Sequence, residues 1–312
     1  MSKLLKEYVN EGGGYFSSPL LVRSVDKGVA SNGSNYLTVR LSDISMQIVA
    51  KKWTVSEEDL QILQPNTIVK IIGNIFEYRN SPQLKIEKVE HIDKSEYDLS
   101  DFYYTCPMKE DELKKEVESI IETIEDEEIA TLVKKVIEAT EGKYFTYPAA
   151  VSIHHSYKGG IAYHSLCMAK LADKVAELYP QVNRDYLIAG CLIHDVGKTV
   201  EMNGVVATNY SDIGNLEGHI SIGAHIVSKV GDEIHIDERK LAYLVHIVLS
   251  HHGEYEYGSP VLPKTTEALL VHSIDEMDSR LNILEQLLNN VENDSLSLKS
   301  PLFNNRAFFR TK

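Results

Sequence analysis

The chain has 312 residues, of which 43% are hydrophobic and 25% charged, a composition that predicts a globular protein of about two domains. The cysteines (Cys106, Cys167 and Cys191) are odd in number and widely spaced, which argues against a disulfide framework and a CxxC metal site and favours a reducing cytosol. The sequence shows neither a signal peptide nor a run of the ~20 apolar residues that a membrane span needs. We therefore expect a cytoplasmic protein with no membrane partner.

The net charge of −14 is unevenly distributed along the chain. Residues 1–98 hold 12 basic against 13 acidic side chains, whereas the remainder holds 20 against 33. Much of the acidic excess lies in the segment EDELKKEVESIIETIEDEE, which is typical of a solvated helix face. The amino-terminal third is nearly neutral, so its charge is compatible with a nucleic-acid-binding groove in that part of the chain.

Short segments rich in β-branched and aromatic residues predict five strands between Ser18 and Ile92. Their sequences are PLLVRSV, YLTVRL, ISMQIVAKKW, TIVKIIGNIFEY and QLKIEKV. A capping box at Ser56 predicts a short helix that runs to about Leu63 and stops before Pro65. Five strands with a helix between the third and the fourth predict an OB-fold β-barrel, a fold that often binds single strands, over residues 1–93.

Aromatic and basic side chains share faces of these strands. Alternation in YLTVRL puts Tyr36 and Arg40 on the face opposite to the apolar residues. Aromatic rings stack on bases, while basic side chains follow the phosphates. The predicted nucleic-acid-binding residues of the barrel are Tyr36, Arg40, Lys51, Trp53, Phe76, Tyr78 and Arg79. The alternative is that Trp53 and Phe76 belong to the core and that the tyrosines are half-buried sheet residues.

Polar, turn-prone residues at 94–107 predict a linker that ends at Pro107. Helical periodicity begins directly afterwards, and two helices are expected between Met108 and Thr140. Residues 108–312 are predicted to form an all-α second domain. Its tail, SPLFNNRAFFRTK, is predicted either to dock, on the barrel or on another subunit, or to fray, so a homo-oligomer is left open.

Eleven of the 12 histidines lie between His154 and His272. Five predicted helices follow in this stretch; Gly197 is the expected stop of the second, and the last spans about Thr265 to Asn290. Helical positions and helix ends direct a set of side chains inward: His164, His194, Asp195, His219, His251, His252 and Asp275. Because buried imidazoles and carboxylates each need a partner, a divalent cation that serves all of them is favoured. The set suffices for two ions if one carboxylate bridges.

Simpler interpretations remain for the other histidines and acidic residues. A histidine on an apolar stripe is more often a core residue than a ligand, and this applies to His225 and His246. His272 fits a position behind the ligands, and His91 and His235 fit the surface. Asp278 and Glu276 fit an ordinary charged helix face, and His154 and His155 fit either a turn or a substrate contact.

The inward-directed set resembles the metal ligands of a known superfamily. His164, His194-Asp195 and Asp275 look like the H…HD…D signature of the HD superfamily of metal-dependent phosphohydrolases. The histidines at 219, 251 and 252 resemble the additional ligands of its two-metal members. By this resemblance one ion would take His164, His194, Asp195 and Asp275, and a second ion would take His219, His251 and His252 with Asp195 shared.

With the OB-like domain in front, the whole chain resembles the YhaM family, HD-domain 3′-5′ exoribonucleases of Gram-positive bacteria. The motifs that carry this resemblance are HHSYKGGIAYHS, HDVGK, LEGHI, SHHG and LPKTTEALLVHSIDEMDSR. The resemblance implies manganese-dependent removal of nucleoside 5′-monophosphates from the 3′ end of single-stranded RNA; single-stranded DNA is left open as a substrate.

Hydrolysis of a phosphodiester explains the choice of these residue types, because they can hold two cations. Such cations bind the phosphate oxygens and turn water into a metal-activated hydroxide near neutral pH. A mixed imidazole and carboxylate shell favours Mn, Fe, Co or Zn over magnesium. Asp195 and Lys198 are the predicted catalytic residues, with Lys198 contacting the phosphate. The alternative for Lys198 is a solvated lysine past a helix end. Tyr157 and Lys158 are predicted to approach the substrate backbone at a helix amino terminus.

Two other functions compete with the exonuclease. One is a single-strand nucleic-acid-binding factor whose HD domain is structural or regulatory. The other is a small-nucleotide phosphohydrolase with a repurposed barrel. The complete ligand set weighs against the first, since a binding module has no need for two metals.

Overall fold

The computed structural model describes residues 3–30, 33–79, 81–92, 97, 102, 106–150, 155, 157–204, 209–289 and 291–311. The chain divides into two compact units, Met1–Thr105 and Cys106–Lys312. Most of the predicted linker lies outside the described residues, so the domain limits 1–93, 94–107 and 108–312 stay predictions. None of the helices in the described part of the chain is long and apolar enough to cross a bilayer.

The first unit is a closed five-stranded barrel in the order β1-β2-β3-β5-β4, which confirms the predicted OB-like fold. The strands are β1 Gly14–Val29, β2 Asn35–Ser42, β3 Gln47–Lys52, β4 Ile68–Tyr78 and β5 Ser81–His91. Strands β3 and β5 pair in parallel, and the other pairs are antiparallel. Alternation holds in β2, where Leu37, Val39 and Leu41 enter the core and the residues between them face outward.

Two short helices accompany the barrel, α1 at Leu5–Asn10 and α2 at Glu57–Ile62. The predicted capping box opens α2: the Asp59 N–H donates to the Ser56 hydroxyl at 3.0 Å, and the Ser56 N–H donates to the Asp59 carboxylate at 2.9 Å. Sequence periodicity did not reveal α1. Burial of Leu5 in the barrel core and a hydrogen bond from its N–H to Asp43 at 2.6 Å hold this helix, and both contacts are long-range.

The second unit is helical, as predicted. Its helices are α3 Glu110–Ile121, α4 Glu127–Glu138, α5 Gly160–Leu178, α6 Arg184–Ile193, α7 Lys198–Glu201, α8 Asp212–Ile234, α9 Glu238–Ser250 and α10 Thr266–Leu288. The same unit contains two hairpins of two-residue strands, β6 Met202–Asn203 with β7 Asn209–Tyr210 and β8 Ser295–Leu296 with β9 Phe309–Arg310. Short 3-10 helices lie at Lys143–Phe145, Tyr255–Tyr257 and Pro301–Phe303.

Helices α5 and α6 lie at the centre of the second unit. Helix α5 packs against α3, α6 and α10, while α6 also packs against α4 and α9. Their apolar faces share one continuous core with α4 and α9. Because large buried side chains on several helices fix this packing, the carboxyl ends of α6 and α9 are held in place, and those ends carry His194 and His251.

Gly197 is not the stop of α6, in contrast to the sequence expectation. Helix α6 ends at Ile193, and Gly197 has an ordinary right-handed φ of −61° as the cap of α7. Glycine is required there for space instead, since a Cβ at Gly197 would lie 1.9 Å from the main-chain oxygen of His219. The chain between α6 and α7 therefore lies directly against the main chain of α8.

The carboxyl-terminal tail folds back onto its own unit, so the frayed alternative is wrong. Strands β8 and β9 pair at Ser295↔Arg310 and Leu296↔Phe309. The Arg310 guanidinium donates to the carbonyls of Leu288 at 3.0 Å and Val291 at 2.6 Å. These bonds occupy carbonyls at and beyond the end of α10 that have no partner within the helix.

Candidate metal centre

His164 lies on the second turn of α5 and is fully buried. Its Nδ1 donates to the Asp278 carboxylate at 2.6 Å, and its Nε2 lies 3.2 Å from Oδ1 of Asp275. Both aspartates stand on α10, one turn apart. Packing of α5 against α10 therefore brings an imidazole between two carboxylates.

Asp195, which is buried, follows the end of α6, and its two oxygens face different histidines. Oδ2 lies 3.4 Å from Nε2 of His194, whereas Oδ1 lies 3.7 Å from Nε2 of His219 and 3.6 Å from Nε2 of His251. One carboxylate thus stands between imidazoles from three separate helices. This is the geometry expected of a bridging ligand.

His219 follows a kink inside α8. Gly218 has φ 70° and ψ 153°, a conformation open to glycine, and the chain resumes its helix at His219. The His219 N–H and Nδ1 both donate to Oε1 of Glu201, at 2.9 and 3.0 Å. His219 is therefore the first residue of the second segment of α8.

His251 and His252 come directly after α9. His251 donates from Nδ1 to the carbonyl of Val248 at 2.7 Å, and His252 does so to the carbonyl of Tyr257 at 2.6 Å. In the same way Nδ1 of His194 donates to the carbonyl of Cys191 at 2.9 Å. Because a carbonyl oxygen can only accept, the hydrogen sits on Nδ1 and the Nε2 lone pair is left for a ligand bond.

These side chains fit a cation. Among the residues that the structure describes, Nε2 of His194, His219 and His251 and Oδ1 of Asp195 are buried without a hydrogen-bond partner. Such atoms are costly unless something satisfies them. Three groups in the described part of the chain bring one donor atom from each member within 4.8 Å of one another. Two consist of predicted ligands: His164, His194 and Asp195, and His219, His251 and His252. The third joins His164 to His155 and Asp278, which are hydrogen-bonded to each other. Nitrogen and oxygen donors of this kind suit Mn, Fe, Co or Zn.

The protonation states also suit a metal. Burial lowers the pKa of His251 and of His252, which keeps both imidazoles neutral at pH 7. Burial opposes ionisation of Asp195, but Lys198 and His194 outweigh it and hold the pKa of this carboxyl well below its usual range. Metal ligands must be deprotonated, and these groups meet that condition without large rearrangement.

The charge around His164 attracts cations. Burial lowers the pKa of this imidazole, yet the carboxylates of Asp275 and Asp278 outweigh burial and raise the pKa to about 10. A site that favours a proton so strongly favours a divalent cation for the same electrostatic reason.

Lys198 pairs with the candidate bridging carboxylate. Its ammonium lies 2.5 Å from Oδ2 of Asp195, and 12% of its side chain is exposed. The alternative of a solvated lysine past a helix end is therefore wrong. Contact of Lys198 with a substrate phosphate stays a prediction.

The structure adds three residues that the sequence analysis passed over or left among simpler interpretations: Asp278, Glu201 and His155. Asp278 is not an ordinary helix-face charge, because it accepts from His164 at 2.6 Å and from Nε2 of His155 at 2.8 Å. His155 is only 2% exposed. The spacing of Asp275 and Asp278, one helical turn, was a usable signal for Asp278. Glu201 sits on a helix of four residues, too short to show periodicity.

Tyr157 is buried, in contrast to its predicted position at an open helix amino terminus. It is 4% exposed, and its hydroxyl bonds to Nδ1 of His155. The α5 amino terminus is packed, not open, at this residue. Lys158 is exposed and pairs with Glu110 at 2.9 Å, so its predicted contact with nucleic acid stays a prediction. His154 lies outside the described residues.

The remaining histidines take ordinary positions. His246 is half-buried and accepts the Lys264 N–H at 2.9 Å, as a satisfied histidine should. His225 is exposed, so its core interpretation is wrong. His272 donates to the carbonyl of His251 at 2.9 Å, behind the candidate ligands. His91 and His235 lie on the surface, as expected.

The barrel displays most of its predicted binding residues on its outer surface. Trp53 is 48% and Phe76 42% exposed, so the core alternative for these two rings is wrong. Trp53 lies 5.1 Å from the half-buried Tyr36 ring, and the Lys51 ammonium lies 4.6 Å over that ring. Arg79 lies over the exposed Tyr78 ring at 5.3 Å. We call this outer surface of β2, β3, β5 and β4 the aromatic-basic face.

Strand register shows how the aromatic-basic face is assembled. Thr38, Lys51, Lys85 and Asn74 form one row across four strands, and Arg40, Val49, Gln83 and Phe76 form the next. Lys85 was missed because only register places it beside Lys51. Lys52 faces inward instead, 3.5 Å from Asp59.

Comparison with known proteins gives consistent matches. The HD domain family matches residues 161–280. The chain is 38% identical over 292 residues to the 3′-5′ exoribonuclease YhaM of Geobacillus sp. (strain WCH70), covering 93% of this chain and 90% of that one. It is 36% identical over 303 residues to the 3′-5′ exoribonuclease YhaM of Bacillus subtilis (strain 168), covering 97% and 96%.

Among solved structures, a chain of a replication protein A heterotrimer bound to ssDNA aligns with 27% of this chain and 62% of its own length. The identity is 18% and the TM-score 0.22, so this likeness supports no inference.

Proposed function

Because this chain belongs to the YhaM family of 3′-5′ exoribonucleases, we propose that it shortens single-stranded RNA from the 3′ end and releases nucleoside 5′-monophosphates. Its HD domain makes the reaction metal-dependent. The cytoplasm, where such RNA is turned over, is the proposed location. The observation that carries the proposal is the position of Asp195 between imidazoles of two groups.

Two ions are proposed because Asp195 directs each oxygen to a different group. The first ion would be held by His164, His194, Asp195 and Asp275, and the second by His219, His251, His252 and Asp195. Manganese is the proposed metal, since imidazole and carboxylate together suit it and magnesium prefers oxygen donors. The buried, unpartnered nitrogens support this assignment.

The metal pair, when bound, supplies positive charge to the phosphate and makes water acidic enough to ionise near neutral pH. The chain itself contributes fixed geometry: each imidazole is held by an Nδ1 hydrogen bond that leaves Nε2 directed inward. Lys198 would offset negative charge on the substrate beside Asp195. Since water is the proposed nucleophile, no serine or cysteine is needed.

The barrel is proposed to hold the body of the RNA strand. The exposed Trp53 ring is available for base stacking, and the Tyr36 ring packs against it. Tyr36 is itself held over Gly28, where an added Cβ would lie 2.4 Å from its ring. Lys51, Lys85 and Arg40 would follow the phosphates along the aromatic-basic face. Sequence-tolerant binding is expected, because stacking and charge do not read base edges.

The test compares four substrates in the presence of Mn²⁺: a 5′-labelled RNA, a circular RNA, the matched DNA and a cyclic dinucleotide. A ladder that shortens stepwise from full-length RNA, and a circular RNA that resists, would support the proposal. A gel shift without cleavage would indicate a binding factor. Cleavage of the cyclic dinucleotide alone would indicate a small-nucleotide phosphohydrolase.

A further inference from the structure

The five histidines of the metal centre are oriented in two different ways. His194, His251 and His252 donate from Nδ1 to main-chain carbonyls. The other two donate to carboxylates: His164 to Asp278 at 2.6 Å and His219 to Glu201 at 3.0 Å. A substitution cannot delete a main-chain carbonyl, so only His164 and His219 depend on side chains that can be varied.

Each of these carboxylates serves a different half of the centre. With the proposed assignment of ligands, on which this inference rests, His164 belongs to the first ion and His219 to the second. The first ion has Asp275 as well as the shared Asp195. The second has three imidazoles, which bring no negative charge, and only the shared carboxylate, so its direct ligands carry less negative charge.

We propose that Asp278 and Glu201 are positioning residues that set the affinities of the two cation sites separately, Asp278 for the first and Glu201 for the second. A carboxylate that accepts the Nδ1 hydrogen fixes the ring plane and makes Nε2 a stronger donor. Loss of such a partner typically costs 10–100-fold in metal affinity.

Asp278 is built into a chain of hydrogen bonds. Tyr157 donates its hydroxyl hydrogen to Nδ1 of His155, His155 donates from Nε2 to Asp278 at 2.8 Å, and the same oxygen accepts from His164. The main-chain N–H of His155 also donates to Asn282 on α10 at 2.9 Å. These bonds hold His155 against α10 and keep Asp278 directed at His164. This gives the buried Tyr157 an indirect part in the site.

Glu201 acts on both the ring and the main chain of His219. Its Oε1 accepts the His219 N–H as well as Nδ1, which fixes the first residue after the Gly218 kink. Its carboxylate also adds negative charge next to the second site, whose direct ligands carry less of it. We therefore expect Glu201→Gln to lower the affinity of the second cation site by a larger factor than Asp278→Asn lowers that of the first.

The experiment is a calorimetric Mn²⁺ titration of the full chain, with bound ions counted after desalting. The wild type should show two binding events. Asp278→Asn should weaken one event by 10–100-fold and leave the other unchanged, and Glu201→Gln should weaken the other event, by the larger factor. The double variant should weaken both. Unchanged affinities, or equal weakening of both events by each single variant, would overturn the inference.

Matched controls remove the same charge nearby. Glu276→Gln changes an exposed residue of α10 that pairs with Arg280, and Glu233→Gln changes an exposed residue of α8. Both should bind two ions as the wild type does. If Asp278→Asn fails to fold, His155→Leu tests the same site by removing one donor to Asp278, and a smaller loss confined to the same event is expected. No loss there would count against the inference.

Asp195→Asn separates this inference from the proposed function. If the wild type binds fewer than two ions, or if Asp195→Asn binds them normally, the ligand assignment itself is wrong. If the wild type binds two ions, Asp195→Asn binds none tightly, and both carboxamide variants bind as the wild type does, only the positioning role fails.

Discussion

Tyr144 donates its hydroxyl hydrogen to the main-chain carbonyl of Leu192 at 2.8 Å, and both residues are completely buried. Leu192 is the second-last residue of α6, where helical carbonyls have no partner within the helix. This bond therefore gives a partner to a carbonyl group in the last turn of α6, directly before His194 and Asp195. The contact links packing in the core to the placement of two candidate metal ligands.

Tyr144→Phe should lower the free energy of unfolding by about 1–3 kcal/mol, because the Leu192 carbonyl is left buried and unsatisfied. Urea denaturation followed by circular dichroism measures the change. Tyr179→Phe, at an exposed ring just past α5, is the control and should stay within about 0.5 kcal/mol of the wild type. Equal stability of the two variants would contradict the role assigned to the bond.

Manganese should stabilise the protein, since the buried nitrogens of the metal centre gain a partner. At 100 times the dissociation constant a single site contributes about 2.7 kcal/mol to the free energy of unfolding. Urea denaturation with and without Mn²⁺ measures this gain, and the response should disappear in Asp195→Asn. A chelator should also end the RNA ladder, and added Mn²⁺ should restore it. A ladder that persists after chelation would refute metal dependence.

Trp53→Ala should weaken binding of single-stranded RNA by about 1–3 kcal/mol, the contribution of one stacked base. Fluorescence anisotropy with a labelled oligonucleotide at one fixed salt concentration measures it. Trp53→Phe should keep part of the affinity, because it retains a ring. Tyr179→Ala removes an exposed ring of the other unit and should bind as the wild type does. An unaffected Trp53→Ala protein would exclude this ring from the RNA-binding surface.

Asp126 should contribute stability that depends on pH. Its carboxylate caps α4 through the N–H groups of Glu128 and Ile129 and pairs with Lys240 at 2.6 Å. The hydrogen bond from Lys240 holds the pKa of Asp126 below its usual value. A pKa that is lower in the folded state means full stabilisation above the unfolded value, about 3.9, and loss as pH falls through the folded pKa.

Asp126→Ala should therefore cost about 0.5–2 kcal/mol at pH 7, the usual contribution of a helix cap. The difference from the wild type should shrink at pH values below about 4. Asp126→Asn keeps a capping oxygen and loses the ion pair, so it should recover most of the difference at pH 7. An Ala variant that differs equally at pH 3 and pH 7 would contradict the assignment of the lowered pKa to Asp126.

Local signals explain what the sequence could predict. The Ser56 capping box depends on residues three apart, and it formed as expected. The barrel topology follows from strand order and turns, and outward placement of Tyr36 and Arg40 follows from alternation. For the metal centre, residue type together with helical periodicity was enough to select seven side chains, and the structure places six of them in two compact groups and Asp275 beside His164.

Long-range contacts explain what the sequence could not predict. Asp278 finds its partner His155 across 123 residues, so the spacing of Asp278 from Asp275 could place it on the same helix face but could not reveal this contact. Tyr157 was expected at an open helix end, but the contact of its hydroxyl with His155 shows that this end is packed. Lys85 joins the aromatic-basic face only through the parallel register of β3 and β5.

At Gly197 the stretch carrying Asp195 lies against the backbone of His219, with room for no more than a hydrogen atom between them. The distance between the two halves of the centre is thus set by atoms that every amino acid shares. Exchanging the side chains around this contact leaves that distance untouched, so a variant with other donor atoms would inherit the same separation between the Asp195 and His219 main chains.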